Sequence, residues 1–460
     1  MSFPIRSRAA LRGRRALALA ALAGATAGCS LDLVNPNGPK EEDVLSNAEL
    51  ILTTAAGLQA QYADNVLVFV RASELVTDQW STRPVALAAD VSLVRGTPDA
   101  TFGVVSDPFA ATYRISRTAT LLRQNAPNVT GLSRGQLTGI SALSRLIEAM
   151  SLGHLTNQYE RMPVRYDSAG APVLPRAAAR DTVIAWLLQA RAEVATLTPA
   201  ELTAFRTRVL DSSAGANSGI NLPATIDAML ARYYLFDGQY QNAITAAQRV
   251  PLTGAGSLSL LQYPNTQSNP LFQYMSLGQL RYVGARKEFF VEADSADRRP
   301  TFWADRVPST GNSTTGTPDS AFSFRAYGGQ RNDPYPVYLP DEMKLIQAEA
   351  HARLGNLPEA GRLINEVRSQ GRNLTSGACT LNAAEPTGCN PPLTAEQLDT
   401  EAEVFRAILY ERRYELFNQG LRWEDLRRLA AYTTDRPSIQ FLPFPQSECD
   451  RNLTRPCATS

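Results

Sequence analysis

The segments LARYYLFDGQYQNAITAAQRV and AEAHARLGNLPEAGRLINEVR are built alike. Each reads as a helix that ends at a glycine, Gly238 in one and Gly355 in the other, followed by a short turn and a second helix. Glycine closes helices because it enters the left-handed conformation without a Cβ clash. Ala243 and Ala360, in matching frame, let the second helix of each pair approach the first closely. This is the logic of a tetratricopeptide-like hairpin, a unit that cannot bury its apolar face alone and must stack on neighbours. The two units are not separated by a whole number of roughly 34-residue repeats, so other sequence interrupts the array. The expected fold is all-α, or mainly helical: a solenoid of hairpins carrying insertions.

Helix starts recur as capping boxes, in which a Ser or Thr is followed three residues later by Glu or Gln: SNAE at Ser46, SRGQ at Ser133, TPAE at Thr198 and TAEQ at Thr394. Apolar spacing places helices near 46–64, 109–124, 133–157, 180–196, 222–236, 240–249, 341–354, 357–370 and 396–419. Strand alternation is hard to find at any length. Residues 46–460 read as one domain with two loop-rich insertions. The larger, about 251–335, is rich in Gly, Ser, Thr, Asn and Pro, with GNSTTGTPDS its most polar stretch; the shorter spans 375–395. Long irregular segments in compact domains usually carry binding or lid roles, so ligand contacts are expected here.

The first 28 residues have the character of an export signal: Arg6, Arg8, Arg12, Arg14 and Arg15 precede the apolar run ALALAALAGATAG. That run is short for a spanning helix, and TAGCS follows it, resembling a lipobox with Cys29 as the lipidated residue and Thr26 where Leu is usual. Residues 29–45 then form a tether. Acyl chains, at roughly 0.8 kcal/mol per buried methylene, would hold the domain at a membrane without a spanning segment. Without the leader the chain has 40 basic and 44 acidic residues, which offers no electrostatic footprint for nucleic acid. Four cysteines remain in two close pairs, Cys379 with Cys389 and Cys449 with Cys457. Exported proteins keep disulfides, and the only histidines, His154 and His351, are too distant in sequence to complete a metal site.

In the C-terminal half, PVYLPDEMKLIQAEAHARLGNLPEAGRLINEVRSQGR is followed by YERRYELFNQGLRWEDLRR and then FLPFPQSECDRN. Together, after a lipobox, these segments resemble the SusD/RagB family of outer-membrane nutrient-binding lipoproteins. ELVTDQW, ALSRLIEAMSLGHLTNQYERMPV and ADSADRRPTFW extend the likeness over most of the mature chain. The resemblance implies tetratricopeptide-like helix pairs beneath a loop-rich ligand face. It also implies a partner, a SusC-like TonB-dependent outer-membrane receptor, and a captured glycan or peptide. The implied location is the outer membrane, lipid-anchored and facing the cell exterior. Family members bind without cleaving, so the chain is not expected to be an enzyme.

The residues support that expectation independently. HExxH, P-loop and CxxC motifs are absent, the one GxSxG match, GLSRG at 131–135, has its serine in the SRGQ capping box, and His351 sits in a helix beside Ala and Arg. A glycosidase needs only two suitably spaced carboxylates, which leaves hydrolysis as a weak alternative. A membrane-anchored tetratricopeptide-type adaptor is the other, but it would need neither the lipobox nor the long polar insertion.

For capture, aromatic faces beside planar hydrogen-bonding groups are wanted. Trp186 falls in an amphipathic pattern and Trp423 in the family segment, so both are expected in the core. Trp80, with Asp78, Gln79 and Arg83 beside it, is the leading candidate for ligand contact, followed by Trp303 and Tyr327. No cofactor is expected. The acids of EADSADRR could hold Ca²⁺, but their spacing is not that of an EF-hand, and an ion pair from Asp297 to an Arg is the simpler reading.

One helix remains to be explained. In ILYERRYELFNQGLRWEDLRR, Arg412 shares a face with Phe405, Ile408, Leu409 and Leu416. A guanidinium inside an apolar stripe must be paired, because desolvating an ion costs several kcal/mol. A buried network is therefore expected among Glu411, Arg412, Glu415, Arg422 and Asp425, with Gly420 ending the helix and the whole clamping it to the 341–370 hairpin.

Overall fold

The computed structural model describes residues 47–452 except 84, 166–170, 212–218, 255, 265–266, 276–281 and 309–320, together with 454 and 457. The leader, Cys29, the tether, Ser46 and GNSTTGTPDS lie outside the described residues. Those described all belong to one unit of the chain, Leu45–Ser460.

Helices dominate, as the spacing of apolar residues predicts. Helix α1 (Ala48–Asp64) is capped by Asn47, whose side chain accepts from the Glu49 and Leu50 amides. After α2 (Val66–Leu75) come α3 (Gly103–Asn125), α4 (Arg134–Gln158) and α5 (Arg176–Val194). The two hairpins follow: α6 (Leu222–Phe236) with α7 (Tyr240–Ala247), and α8 (Pro340–Arg353) with α9 (Leu357–Arg368). Helices α10 (Glu401–Glu415) and α11 (Arg422–Arg428) complete the array. From α3 to α10 each helix packs on its successor, α7 meeting α8 across the larger insertion. Gly238 and Gly355 close α6 and α8 at φ 75° and 82°, and Ala243 and Ala360 are fully buried in the hairpin contacts. Gly153 allows α4 to approach α6: a Cβ there would stand 1.8 Å from the Tyr233 hydroxyl.

One capping box does not open the helix expected of it. Ser133 forms its capping box with Gln136 at the start of α4, but the box at Thr394 opens only a 3-10 turn, Ala395–Leu398. Helix α10 instead begins behind Thr400, whose box with Glu403 satisfies the first free amides. It ends at Glu415, five residues earlier than Gly420, and the chain turns through left-handed Asn418 and Gly420.

The larger insertion is more ordered than its composition suggests. It contributes three strands of a four-stranded antiparallel sheet, β2 (Val283–Arg286), β3 (Ala304–Pro308) and β4 (Ala321–Phe324), which join β1 (Trp80–Thr82) in the order β1-β2-β4-β3. Trp80 faces Ala285 across the first pair, and Ala285 faces Phe322 across the second. Strands of three to five residues are too short to show alternation in sequence. Both cysteine pairs are disulfides, with Cα atoms 5.6 Å apart for Cys379–Cys389 and 5.1 Å for Cys449–Cys457. No helix among the described residues is long and apolar enough to cross a membrane.

Candidate functional site

The site begins at a corner of chain, Asp297 to Asp305, that enters β3 through a one-turn helix, Arg299–Trp303. Arg299 fixes the corner. Its guanidinium is fully buried and reaches Asp297 at 2.6 Å, Glu411 at 2.7 Å and Glu415 at 3.6 Å, the last two on α10. Asn390 and Tyr410 donate to the same Asp297 carboxylate at 3.0 and 3.1 Å. Burial alone would raise the Asp297 carboxyl, but Arg299 beside it holds it below the usual range. The corner is also tied to the disulfide loop, since the Arg298 amide donates to the Gly388 carbonyl at 3.2 Å.

Adjacent residues of a one-turn helix point in different directions, and this separates Trp303 from Phe302. Trp303 is fully enclosed, and its indole N–H donates to the Tyr414 carbonyl at 2.8 Å. Phe302 packs edge-on against Trp303 and Tyr327, at 5.2 and 5.9 Å between ring centroids, and lines an open cavity of about 620 Å³. Arg298, Asp305, Arg325 and Gln330 share its wall from the larger insertion, and Leu381, Asn382 and Thr387 close it from the disulfide loop. The two segments expected to carry ligand contacts therefore meet at one place. The Tyr327 hydroxyl donates to the Ala384 carbonyl and links them beneath the cavity.

The individual aromatic residues singled out from the sequence serve differently. Trp80 is fully buried, its N–H donating to the Asn418 side chain at 2.7 Å, so it offers no face to a ligand. Gln79 is buried as well, and its carbonyl accepts from the Arg286 amide at 3.0 Å. Arg83 is buried with its guanidinium 3.5 Å from the Ser323 hydroxyl. Asp78 binds Arg422 through two hydrogen bonds of 2.9 Å and Arg413 at 3.0 Å, which keeps its carboxyl well below the usual range despite burial. Trp303 and Tyr327 are buried supports for Phe302 and present no open ring of their own. Sequence reasoning missed Phe302, Arg298, Asp305, Arg325, Gln330 and Asn382. The local signal was RPTFW, where a single turn buries one aromatic ring and leaves its neighbour at the wall.

The charged helix forms the expected buried network against the hairpin, with Arg412 and Asp425 paired and the other members taking different partners. Arg412 is buried and donates through Nε to Asp425 at 2.8 Å, whereas Glu411 and Glu415 turn to Arg299. Arg422 binds Asp78 and Asp435. The hairpin is held by Arg368 to Glu411 at 2.9 Å and by Arg428 to Glu349 at 2.6 Å. The acids of EADSADRR are engaged in pairs, Glu292 with Arg413, Asp294 with Arg368 and Asp297 with Arg299. No cluster of metal-ligating side chains occurs among the described residues.

Residues 324–452 match the sequence model of the SusD family. The fold repeats that likeness over the rest of the chain. A SusD superfamily protein of Bacteroides thetaiotaomicron superposes with a TM-score of 0.66 at 16% identity, covering 87% of this chain and 97% of that one. NanU of B. fragilis gives 0.68 at 17% identity, covering 91% and 98%. The chain thus carries the SusD family's sequence pattern over residues 324–452 and shares the fold of SusD superfamily structures. Surface glycan-binding protein A of B. thetaiotaomicron, solved in complex with laminarihexaose, has a TM-score of 0.64 at 13% identity over 88% of this chain and 98% of that one. No curated protein matches the sequence. Within the matched residues lie both α8–α9 helices, the disulfide loop and the charged helices, and of β4 only Phe324.

Proposed function

We propose that the protein is a surface-exposed lipoprotein that binds a glycan without cleaving it and delivers it to a SusC-like TonB-dependent transporter in the outer membrane. The observation that carries this reading is the open cavity of about 620 Å³ with the Phe302 ring in its wall and planar polar groups of Arg298, Arg325, Gln330 and Asn382 around it. Its volume lies within the range typical of small-molecule sites. A ring face covers the apolar side of a sugar while guanidinium and amide groups meet its hydroxyls. A SusD-like neighbour bound to laminarihexaose and the lipobox-like TAGCS support capture at a membrane surface.

Titration calorimetry of the mature protein against a panel of oligosaccharides and peptides tests the reading. Phe302→Ala is expected to weaken the bound glycan at least tenfold, about 1.4 kcal/mol, with little change in thermal stability. Equal affinity of the variant would place the site elsewhere, and binding of peptides alone would replace the ligand class. Co-purification of a TonB-dependent receptor from outer membrane tests delivery; recovery of the protein without one would remove that part.

A further inference from the structure

The charges of the cavity are unequal. Arg325 is occupied: its Nη1 donates to the Thr301 carbonyl at 2.7 Å, and its Nε lies 3.5 Å from Asp305. Arg298 has no such partner among the described residues, although it lines the same wall. The acids close to it in sequence are committed elsewhere. Asp297 is held by Arg299, Asn390 and Tyr410, and Asp294 by Arg368. Glu385, between the cavity residues Ala383 and Thr387, has its carboxyl raised by burial and by Asp341 towards the neutral form.

Arg298 is also well placed to read a charge. Its neighbours on both sides are anchored, Asp297 and Arg299 to each other and to α10, and its own amide is bound to Gly388. A backbone held at three successive residues fixes the point from which the guanidinium extends and leaves only the side chain to be ordered on binding, and a guanidinium meets a carboxylate through two parallel hydrogen bonds. We infer that the cavity selects an anionic saccharide, a sugar bearing a carboxylate or a sulfate, with Arg298 receiving the anionic group while Phe302 covers the ring.

This inference rests on the glycan-binding reading, and the experiment separates the two. The mature protein is tested on an array of oligosaccharides in matched forms: uronic acids, their methyl esters, sulfated sugars and neutral sugars. Wild type is expected to bind an acidic member at least tenfold more tightly than its neutral match. Arg298→Gln should reduce that preference to under threefold with an unchanged melting temperature, and 0.5 M salt, which shortens the screening length to roughly 4 Å, should reduce it in wild type. The uronic and sulfated arms tell which anion is preferred. Binding of neutral members alone, lost in Phe302→Ala, overturns the charge assignment and leaves glycan binding standing. A preference that survives Arg298→Gln overturns the role of Arg298. Absence of Phe302-dependent binding to any member overturns both readings.

Discussion

Arg298 and Arg299 are consecutive in the chain, yet Arg299 is enclosed by three carboxylates and Arg298 stands at the wall of an open cavity. The contrast extends to the regions around them. In the α10–α11 clamp, guanidiniums, carboxylates and aromatic rings are buried and mutually paired. Around the cavity Arg298, Asp305 and Arg325 are exposed and the Phe302 ring half-buried, and only part of the charged groups' hydrogen-bonding capacity is used. A buried ion must have its partner or the fold loses several kcal/mol, so clamp residues answer to stability. Exposed groups contribute little to stability and are free to meet a ligand.

Separate substitution of the two arginines should give the largest difference. Arg299→Ala leaves Asp297 and Glu415 without their cation and Glu411 with Arg368 alone, and about 3–5 kcal/mol of unfolding free energy should be lost in urea denaturation. Arg298→Ala should cost under about 0.5 kcal/mol. Similar losses for both would show that the corner does not separate anchoring from reading. A smaller effect, about 3 kcal/mol on a chain-entropy estimate, is expected for Cys379→Ser with Cys389→Ser. Because that loop closes one side of the cavity, glycan affinity should fall in the double variant as well, and unchanged affinity would show that the loop holds its place without the disulfide.

Within the buried region itself, two enclosed glutamates show how burial and partners compete. Glu424 and Glu74 are both enclosed, but Glu424 has Arg180, Arg427 and Arg176 around it and its carboxyl is lowered to about 2, burial notwithstanding. For Glu74 burial dominates, the Gly420 amide at 2.7 Å opposes it, and nearby Asp78 adds to it, so the carboxyl rises to about 8. Between the ordinary value of 4.5 and about 8 the folded state holds a proton at Glu74 that the unfolded chain has released. That contribution is full below 4.5 and declines as pH rises, by about 1.4 kcal/mol per unit at its steepest. Glu74→Gln should flatten the decline in denaturation midpoints between pH 5 and 8, and an unaltered slope would assign it to other groups. Glu424 acts in the opposite sense, its contribution being lost as pH falls from 4.5 towards about 2.

The scaffold was legible because its signals are local. Apolar spacing, the Ser133 box and the glycines 238 and 355 placed α4 and both hairpins within a few residues of their observed bounds. Helix α2 escaped notice because VLVFVRASEL follows α1 after a single residue, without a side-chain cap and with little polar contrast between its faces. The partners of Glu411 and Glu415 were illegible for another reason. Arg299 lies more than a hundred residues upstream, and only tertiary packing chooses it over the adjacent Arg412. The cavity could be assigned to two segments but not to residues, since nothing in TFW says which ring a single helical turn will bury.

Helices α7 and α8 are in contact although the whole larger insertion separates them in sequence. The insertion therefore leaves the solenoid and returns to it at neighbouring points, which makes it a closed loop on a fixed base. The entropy of closing such a loop grows only logarithmically, about 0.6 kcal/mol for each doubling of length. Its length and composition can change by tens of residues while the hairpins beneath keep their register, so one helical frame can support cavities of very different size.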